Sequence, residues 1–522
     1  MAQRSQNISN LDGGDFDVLI VGGGINGAVS AAALTARGVR VALVDRGDFA
    51  GFTSQESSNL VWGGFKYLEN YELPLVWKLC TSRNHLMRQY PTRISELGFL
   101  ATLDKTSPFP PWLAALGSFG YWGIGRFFTK PPKYFSAKGI EAVEPVVNTA
   151  TARGGIEYMD AYLKDNDARF VWGFIQSAID NGAVAANYAS LAGSNRTSQG
   201  WEATILDELT GQKINLRARS IVNAAGPFVD GLNEKWDLKT EHRIVYSKGI
   251  HLVVPRVTDS ERVLAFFDDT GRLFYVIPMA HRSVIGTTDT RTEIVDEGVT
   301  DDDRDFLLEQ INARLDLPTP LTRHDVIGER SGVRPLVVRV GGSDETETDW
   351  TKLSRKHEIE SNDAAKVVSI FGGKLTDCLN VGDEVAEAVA ELGLAVGPQV
   401  DGWFGEPPAE SRDGFYAAAK AVGLDRKPSV ERAESMAEVL WRRHGLSAHQ
   451  VLRSVESDPV MGESVLGDTD VLWAEVQLMA DREMIATIDD FLRRRTKLSL
   501  IFRRDELMAH QDMPRVKELL GV

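Results

Sequence analysis

Cysteine is scarce in this sequence, with only Cys80 and Cys378 among 522 residues. Neither belongs to a CxxC pair or stands near a cluster of histidines, so the sequence predicts neither a disulfide framework nor a zinc site. This scarcity fits a reducing cytoplasm. Basic residues are in deficit, because the formal net charge is −16. Binding to phosphate backbones requires a basic face, so we do not expect nucleic acid as a partner.

Long apolar runs are also missing. The sequence contains no run of 18 consecutive apolar residues, so it predicts no membrane-spanning helix. The start of the chain lacks the apolar core of a signal peptide, so we expect no export. The uncharged segment TSPFPPWLAALGSFGYWGIG, between Lys105 and Arg126, comes closest, but its prolines and glycines disfavour a spanning helix. Its aromatic residues, followed by Lys130 and Lys133, suit contact of residues 106–133 with a membrane surface. An aromatic-rich loop packed on the body or at a dimer contact explains the segment equally well.

The length indicates more than one domain, since single cores stop growing at roughly 250 to 300 residues. Hydrophobic residues at 43% and charged residues at 25% are typical of a packed globular protein. After about residue 400, GPQVDGWFGEPPAESRDG has the composition of a linker, and the sequence beyond it consists mainly of helix-forming residues. We therefore predict a C-terminal helical domain over 401–522.

A glycine-rich turn near the start carries the clearest local signal. FDVLIVGGGINGAVSAAALTARGVRVALVDRGD predicts a strand, a turn, a helix and a second strand. Gly22, Gly24 and Gly27 fit GxGxxG, with glycines for the tight turn, for the approach of a pyrophosphate and for close helix packing, while Asp45 suits the ribose. The pattern predicts a bound dinucleotide but does not separate FAD from NAD. A glycine-rich turn without a nucleotide is the alternative.

Two later segments favour a flavin. IVNAAGP at 221–227 and SIFGGKLT at 369–376 each run from a strand into small residues, where a backbone can approach a ligand closely. The first and last glycine clusters of the chain would then hold two ends of one long cofactor. Taken singly, each segment is equally explained as a tight turn.

With these motifs in this order, the chain resembles the FAD-dependent, aerobic and respiratory glycerol-3-phosphate dehydrogenases. The resemblance covers nearly the whole chain. Its motifs are GGGINGA, TSxxSSxL at 53–60, GGFKYLE, D-x-R at 167–169, NAAGP, HLVVPR, VIGTTD, SGVRPL, FGGKLT and DDFLRRRTKL.

The resemblance implies a fold of mixed α/β and α+β class. A Rossmann-like FAD-binding domain of the glutathione-reductase and amino-acid-oxidase type is expected to interleave with an antiparallel-sheet substrate domain, followed by the helical domain. Family members oxidise sn-glycerol 3-phosphate to dihydroxyacetone phosphate and pass electrons to a membrane quinone. We therefore expect a cytoplasmic protein that is peripheral on the inner face of the cytoplasmic membrane. A homodimer is compatible with the sequence but is not indicated by any motif. Within an oxidoreductase region of 15–400, the expected FAD-binding segments are about 15–75, 155–230 and 365–395, and the substrate segments about 76–154 and 231–364.

The predicted cofactor contacts come from six short segments of the chain. These are the first glycine turn, the end of the strand after it, the serine segment, the paired-glycine segment and the two later turns. The residues are Gly22, Gly24, Ile25, Asn26, Gly27, Asp45, Thr53, Ser57, Ser58, Gly63, Gly64, Ala225, Gly226, Gly373, Lys374, Leu375 and Thr376. We expect Gly63 and Gly64 to let the backbone pass against the flavin ring.

The predicted substrate contacts are mainly cations, because the substrate phosphate is a dianion. The resemblance assigns Arg334 and Arg355 to this phosphate, and Lys66 adds a third cation. Tyr67, beside Lys66, completes the substrate-binding set. For any one of these cations taken alone, a solvated surface position is the alternative.

The predicted catalytic residues are His251, Arg334 and Lys374. Oxidation of a secondary alcohol requires a base for the hydroxyl proton, and the resemblance makes His251 the candidate. A neutral histidine of the core is the alternative. Lys374 is expected near the flavin, where its charge would stabilise the negative charge that develops on the reduced ring.

Two positions depart from the family pattern H-G-G-x-R-Y. Trp62 replaces the histidine and Lys66 replaces the arginine. Lysine keeps the charge but loses the bidentate fork, and tryptophan cannot accept a proton. An FAD-dependent dehydrogenase or oxidase of a related polyol phosphate or 2-hydroxy compound is therefore the alternative function. A flavin-binding protein without redox turnover is a third hypothesis, from a different class.

Overall fold

The computed structural model describes residues 2–69, 71–105, 107–268, 271–342, 356–400, 402–430 and 433–522. Its helices are α1 (Ala2–Leu11), α2 (Ile25–Ala36), α3 (Leu73–Gln89), α4 (Pro111–Ile124), α5 (Ala137–Val143), α6 (Asp167–Asp180), α7 (Val229–Lys235), α8 (Asp301–Arg314), α9 (Cys378–Glu391), α10 (Ala409–Ala421), α11 (Met436–His444), α12 (Ala448–Ser457), α13 (Trp473–Arg482), α14 (Leu498–Ile501), α15 (Arg504–Ala509) and α16 (Met513–Leu520).

The strands fall into two sheets. They are β1 (Asp15–Val21), β2 (Val41–Val44), β3 (Leu60–Val61), β4 (Ile94–Leu103), β5 (Lys133–Phe135), β6 (Gly154–Leu163), β7 (Val184–Ala186), β8 (Ala189–Thr197), β9 (Gly200–Asp207), β10 (Lys213–Asn223), β11 (His242–Pro255), β12 (Val263–Phe267), β13 (Leu273–Met279), β14 (Arg282–Gly286), β15 (Thr290–Thr292), β16 (Gly328–Arg339), β17 (Glu358–Asn362) and β18 (Val367–Phe371).

The first sheet has the order β17-β18-β10-β1-β2-β7, and the hairpin of β8 and β9 extends it from β10. β18, β10, β1, β2 and β7 pair in parallel. Alternate side chains of β1 pack on opposite faces of this sheet. Val18 and Ile20 join the core that contains α2 and α9, whereas Leu19 and Val21 pack in the core under β8 and β9. Burial on both faces explains the continuous apolar run VLIV.

The parallel strands end at one edge of the first sheet. β1 ends at Val21, β2 at Val44, β10 at Asn223 and β18 at Phe371. The segments that follow these ends are the glycine and small-residue turns identified in the sequence. In doubly wound sheets, ligands bind at this carboxyl edge.

The second sheet has the order β15-β11-β14-β13-β12-β4-β6-β3, with β16 beside β11 and β5 beside β6. Its pairs are antiparallel except β12 with β4. The two-sheet fold with a helical C-terminal part is the predicted one. However, β3 and β6 hydrogen-bond in the second sheet, although the predicted segments 15–75 and 155–230 place them with the FAD-binding part. Those inner boundaries need correction, and the outer division near residue 400 stays a prediction.

The uncharged aromatic segment forms a helix, α4, and not the loop considered above. Pro111 occupies the first turn of α4, where its missing N–H costs no hydrogen bond. The glycines of α4 are tolerated because Leu and Ala in its first half favour the helix and because Ala114, Ser118 and Tyr121 are buried against the body. Among the described residues, no helix is long and apolar enough to cross a membrane.

Buried ion pairs attach the C-terminal helical part to the first sheet. Asp48, which follows β2, pairs with Arg494 at 2.6 Å and with Arg495 at 2.8 Å. Burial alone would raise the pKa of Asp48, but Arg495 and Arg494 hold this pKa below its ordinary value of 3.8. Removing one partner of such a pair is costly because the opposite charge then stays buried without compensation.

We predict that Asp48→Asn lowers the free energy of unfolding by about 3 to 5 kcal/mol at neutral pH. The folded pKa is depressed, so this stabilisation is fully present above pH 3.8 and is lost as the pH falls through the folded pKa. Urea unfolding at pH 7 and at pH 3 measures both effects. Asp489→Asn, which breaks an exposed pair with Arg504, should cost less than about 1 kcal/mol. Equal losses from the two substitutions would contradict the prediction.

Candidate active site

Two adjoining cavities open at the carboxyl edge of the first sheet. The first cavity, of about 520 Å³, is lined by the turns after β1, β2, β10 and β18. The second cavity, of about 350 Å³, extends from it toward the second sheet. Ile25, Thr53, Ser54 and Gly373 line both cavities. The two cavities therefore suit one elongated ligand whose reactive end reaches the second cavity.

Close backbone contacts shape the first cavity. Gly22 has φ of +110°, and a Cβ there would overlap with the carbonyl oxygen of Ala224 at the end of β10. A Cβ on Gly27 would overlap with the carbonyl oxygen of Gly22. Any larger residue would push α2 away from the sheet. The first residue of α2, Ile25, donates its backbone N–H to Ser54 Oγ at 3.0 Å.

Asp45 lies where the sequence predicts it, at the end of β2 and in the lining of the first cavity. Its carboxylate accepts hydrogen bonds from the backbone N–H groups of Gly23 at 2.6 Å and Gly47 at 2.8 Å. Burial raises the pKa of Asp45 to about 6, although the bonds from Gly47 and Gly23 lower it. The carboxylate thus holds the turn, and it has further lone pairs for the hydroxyls of a ribose.

The first and last glycine clusters meet at Asn26. Its Nδ2 donates to the carbonyl oxygen of Gly372 at 2.8 Å, and its Oδ1 is buried without a hydrogen-bond partner among the described residues. Gly372 and Gly373 have φ of +65° and +112°, and a Cβ on Gly373 would lie 2.9 Å from Asn26 Oδ1. The buried acceptor, the helix N-terminus and the joined cavities fit FAD, which has both a pyrophosphate and polar hydroxyls to offer.

Four cations line the second cavity, namely Lys66, Arg272, Arg334 and Lys374. Two carboxylates, Glu69 and Asp289, also line it, so the cavity has a surplus of positive charge. Such a surplus suits a doubly charged anion. Aromatic and apolar side chains form the rest of its wall, including Trp62, Tyr67, Leu273 and Tyr275.

Arg334 is held at the wall by two neighbours. Its guanidinium donates to Thr287 Oγ1 at 2.8 Å and to the carbonyl oxygen of Thr288 at 3.2 Å. Gly249 on β11 provides the space, because a Cβ there would overlap with this guanidinium. The glycine within the strand SKGIHLVV is the sequence signal for this close approach, and the sequence analysis missed it.

Lys374 and Tyr67 form a pair inside the second cavity. Lys374 Nζ donates to Tyr67 Oη at 2.6 Å. Lys374 belongs to the turn after β18, whereas Tyr67 follows the paired glycines. The fold thus joins two residues that lie 307 positions apart in the sequence. The charge of Lys374 therefore lies within the second cavity.

His251 does not line either cavity. It lies on β11 against Gly286, where a Cβ on the glycine would overlap with the imidazole ring. Burial lowers the pKa of His251 well below 6.5, and the positive Arg330 and Arg334 lower it further. The ring is therefore neutral, and both ring nitrogens lack hydrogen-bond partners among the described residues.

Gly63 and Gly64 also lie outside both cavity linings, which corrects their expected position against the flavin. The backbone N–H of Gly63 donates to Asp160 Oδ1 at 3.0 Å, and a Cβ there would overlap with Tyr121 Oη. Asp160 pairs with Arg83 at 3.0 Å in the same buried cluster. The glycines are thus needed for close packing behind the cavity, from where the chain carries its neighbouring side chains into the wall.

The remaining predicted residues divide as follows. The first cavity is lined by Gly22, Gly24, Ile25, Asn26, Asp45, Thr53, Ala225, Gly226 and Gly373. The second is lined by Thr53, Ser57, Ser58, Lys66, Tyr67, Arg334, Gly373, Lys374, Leu375 and Thr376. Gly27 supports α2 from behind, and Arg355 lies outside the described residues. Arg272 and Asp289 were missed: Asp289 ends the motif VIGTTD but was not singled out, and no motif marks Arg272.

The C-terminal helical part holds one wall of both cavities. Arg493 donates to the carbonyl oxygen of Gln55 and pairs with Glu56 at 3.2 Å. These residues belong to the segment that continues into Ser57 and Ser58 of the second cavity. The sequence RRRTKL therefore has a structural role toward the site, although it lines neither cavity.

Comparison with known proteins agrees with this geometry. Residues 17–348 match the family model described as FAD dependent oxidoreductase, and residues 414–521 match the C-terminal domain of alpha-glycerophosphate oxidase. The chain is 29% identical to the aerobic glycerol-3-phosphate dehydrogenase of Escherichia coli K12, over 94% of this chain and 95% of that protein. It is 30% identical to glycerol-3-phosphate dehydrogenase 2 of Mycobacterium tuberculosis H37Rv, over 96% and 84%.

A solved structure supports the fold over nearly the whole chain. The glycerol-3-phosphate dehydrogenase of Bacillus halodurans, complexed with FAD, superposes with a TM-score of 0.76 at 25% identity. The match covers 99% of this chain and 93% of that one.

We predict that Asn26→Ala weakens FAD binding about tenfold, because the variant loses the link to Gly372 and a buried acceptor, each worth about 0.5 to 1.5 kcal/mol. Fluorescence titration of the apoprotein with FAD measures this. Asn181→Ala, on the exposed end of α6, is the matched control and should bind FAD like the unchanged protein. Unaltered affinity in Asn26→Ala would show that the junction of the two turns does not contact the cofactor.

Proposed function

The chain belongs to the FAD-dependent oxidoreductase family that contains the aerobic glycerol-3-phosphate dehydrogenases, and from this premise we propose that it oxidises sn-glycerol 3-phosphate to dihydroxyacetone phosphate. FAD, when bound, supplies the hydride acceptor. We propose a membrane quinone as the electron acceptor that follows. Glycerol-3-phosphate dehydrogenase is the activity named for the relatives in Escherichia coli and Bacillus subtilis.

The cationic second cavity carries this proposal. Its lining combines Lys66, Arg272 and Arg334 with the end of an elongated cavity that fits FAD. A phosphate monoester is a dianion at neutral pH, and a lysine with two arginines at one wall compensates this charge. A neutral polyol would gain nothing from the surplus of positive charge in this lining, which supports a phosphorylated substrate.

The reaction removes a hydride from the carbinol carbon and a proton from its hydroxyl oxygen. We propose that Arg334 and Lys66 orient the phosphate, with Arg355 as a further predicted contact. Lys374, which lines the same cavity, would stabilise the negative charge that develops on the reduced flavin ring. The roles of Arg334, Lys66 and Lys374 follow from the charge and position of these side chains in the second cavity.

We propose His251 as the base, although burial and the positive Arg330 and Arg334 lower its pKa and oppose the protonated ring. Its neutral ring has a free lone pair, and proton transfer to it breaks no hydrogen bond among the described residues. The ring lies behind Gly286, next to Thr287 of the cavity wall. Catalytic hydrogen bonds often form fully only with substrate bound, and the proposed role requires His251 to reach the substrate hydroxyl in that complex.

A related polyol phosphate is the second candidate substrate. Trp62 and Lys66, the two departures from the family pattern, both line the second cavity, so they alter the wall where substrate binds. Anaerobic flavin reduction with a panel of polyol phosphates and 2-hydroxy acids ranks the candidates. Peroxide release with oxygen alone would identify an oxidase.

We predict that sn-glycerol 3-phosphate bleaches the bound flavin anaerobically and that Arg334→Met raises the KM for this substrate about tenfold to a hundredfold. The physical reason is the loss of hydrogen bonds to a charged group, worth about 1.5 to 3 kcal/mol. Arg339→Met is the matched control, because Arg339 lies on the same strand but is exposed and paired with Glu241. An unchanged KM in Arg334→Met, or no bleaching by the substrate, would contradict the proposed function.

We further propose that α4 rests on an anionic membrane surface. Trp112, Leu116 and Phe119 recur on one face of the helix and are 67%, 63% and 50% exposed. Lys130 and Lys133 lie exposed after the helix. An exposed apolar face beside basic residues suits the boundary between lipid headgroups and acyl chains, and a quinone acceptor lies in that membrane.

We predict that the protein sediments with anionic vesicles at low salt and that the double variant Leu116→Glu, Phe119→Glu stays in the supernatant. The glutamates place charge against the acyl chains and the anionic headgroups. Phe306→Glu on α8, where Phe306 is 43% exposed, is the control and should still sediment. If the unchanged protein stays in the supernatant and elutes as a dimer that the double variant dissociates, α4 is a dimer contact instead.

A further inference from the structure

A buried histidine outside both cavities lies between two carboxylates. His357 precedes β17, and its Nδ1 lies 3.1 Å from Asp377 Oδ2 while its Nε2 lies 2.7 Å from Glu384 Oε2. Its side chain is 3% exposed. Both ring nitrogens therefore face acceptors, which only the doubly protonated imidazolium satisfies as a donor at both ends.

A lysine from a third element joins the same carboxylates. Lys78 on α3 lies 3.2 Å from Asp377 and 3.5 Å from Glu384. Ser82 of α3 also donates to Asp377 at 2.8 Å. In the described part of the chain, the charged groups around His357 are thus Lys78, Asp377 and Glu384. We call these four residues the His357 cluster.

The His357 cluster holds the end of the turn that enters the second cavity, and the pairing of β17 with β18 holds its start. This turn runs from Gly372, directly after β18, to Asp377, directly before α9. At its start, β17 pairs with β18, and a Cβ on Gly372 would lie 3.2 Å from the carbonyl oxygen of Lys356. At its end, Asp377 is bonded to His357 itself. Between the two ends, Lys374, Leu375 and Thr376 line the second cavity.

We propose that His357, as an imidazolium, is a positioning residue that holds the turn over 372–377 so that Lys374 stays in the second cavity. It acts through Asp377 and does not line the cavity itself. The inference rests on the proposed function, because it gives Lys374 its place in that reaction. Loss of the positive charge would leave the Asp377 and Glu384 carboxylates facing each other with Lys78 alone between them, and the turn would loosen.

The charge state of His357 follows from its surroundings. Burial by itself lowers the pKa of His357, but the hydrogen bonds to Asp377 and Glu384 outweigh it and raise the pKa to about 9. The ordinary value is 6.5. The folded pKa is the higher one, so the stabilisation is fully present below pH 6.5 and is lost as the pH rises through about 9.

Two variants and a control test this role. His357→Gln removes the charge at similar size, and Glu384→Gln keeps His357 but removes its half-exposed partner. His510→Gln is the control, because His510 faces Asp512 in the C-terminal part, far from the turn in sequence. Two readouts are needed across pH 6 to 10, namely the melting temperature and the rate of anaerobic flavin reduction by sn-glycerol 3-phosphate.

We predict that His357→Gln lowers the melting temperature most at pH 6 and least at pH 10, where the unchanged protein has also lost the charge. It should slow flavin reduction about tenfold to a hundredfold at pH 7, because misplaced catalytic groups cost rates of that order. Glu384→Gln should move the alkaline loss of rate to lower pH by about one unit, because an opposite charge is removed. His510→Gln should match the unchanged protein in both readouts.

The outcomes separate this inference from the proposed function. If His357→Gln reduces flavin at the unchanged rate while its melting temperature falls, His357 only stabilises the fold and the positioning role is wrong. If Glu384→Gln leaves the midpoint of the alkaline loss unchanged, the inference also fails, even where His357→Gln does not fold. If the unchanged protein reduces no flavin with sn-glycerol 3-phosphate at any pH, the proposed function fails, and the melting temperatures alone still test the cluster.

Discussion

The contact of α2 with the ends of two distant strands determines where the rest of the site can lie. Gly22 and Gly27 let the helix approach the end of β10, and Asn26 bonds to Gly372 after β18. Because the contacts at Gly22 and Gly27 are between backbones, even one added methyl group at either glycine would separate the segments. The approach leaves the N-terminus of α2 facing the first cavity, and it brings Gly373 to the boundary of both cavities. A cofactor bound along this edge is thereby directed toward the second sheet.

The second cavity depends on electrostatics more than on shape. Its four cations come from the segment after the paired glycines, from β16, from the start of β13 and from the turn after β18. Arg272 is exposed and the other three cations are half-buried, so water still screens them in the free protein. Their surplus of positive charge favours a phosphorylated substrate, and it places a cation beside the proposed site of electron transfer.

Ionised groups outside the cavities hold two walls of the second cavity in place. Arg493, Arg494 and Arg495 tie the segment from Asp48 to Glu56 to the C-terminal part, and His357 ties the turn before α9 to α3 and β17. Buried ion pairs contribute little net stability, since desolvation offsets much of their attraction. Their geometry is nevertheless narrow, because a charge displaced from its partner loses that compensation. Precise placement of the walls is a sufficient reason to retain them.

The sequence by itself determined the two-part fold, the helical C-terminal part and the first cavity, because tight glycine turns at strand ends are local requirements that appear as local patterns. Gly22 and Asp45 could thus be assigned to the glycine turn and to the end of the next strand from their neighbours alone. Only the tertiary structure showed that Gly63 and His251 lie behind the cavity wall, that Arg272 and Asp289 line the wall, and that His357 bridges Asp377 and Glu384. Those positions depend on contacts between residues far apart in the chain, such as the pairing of β11 with β16 and the ion pair between Lys78 of α3 and Glu384 of α9. No spacing along one segment records such contacts, and the helix formed by the proline-containing α4 likewise depends on what it packs against.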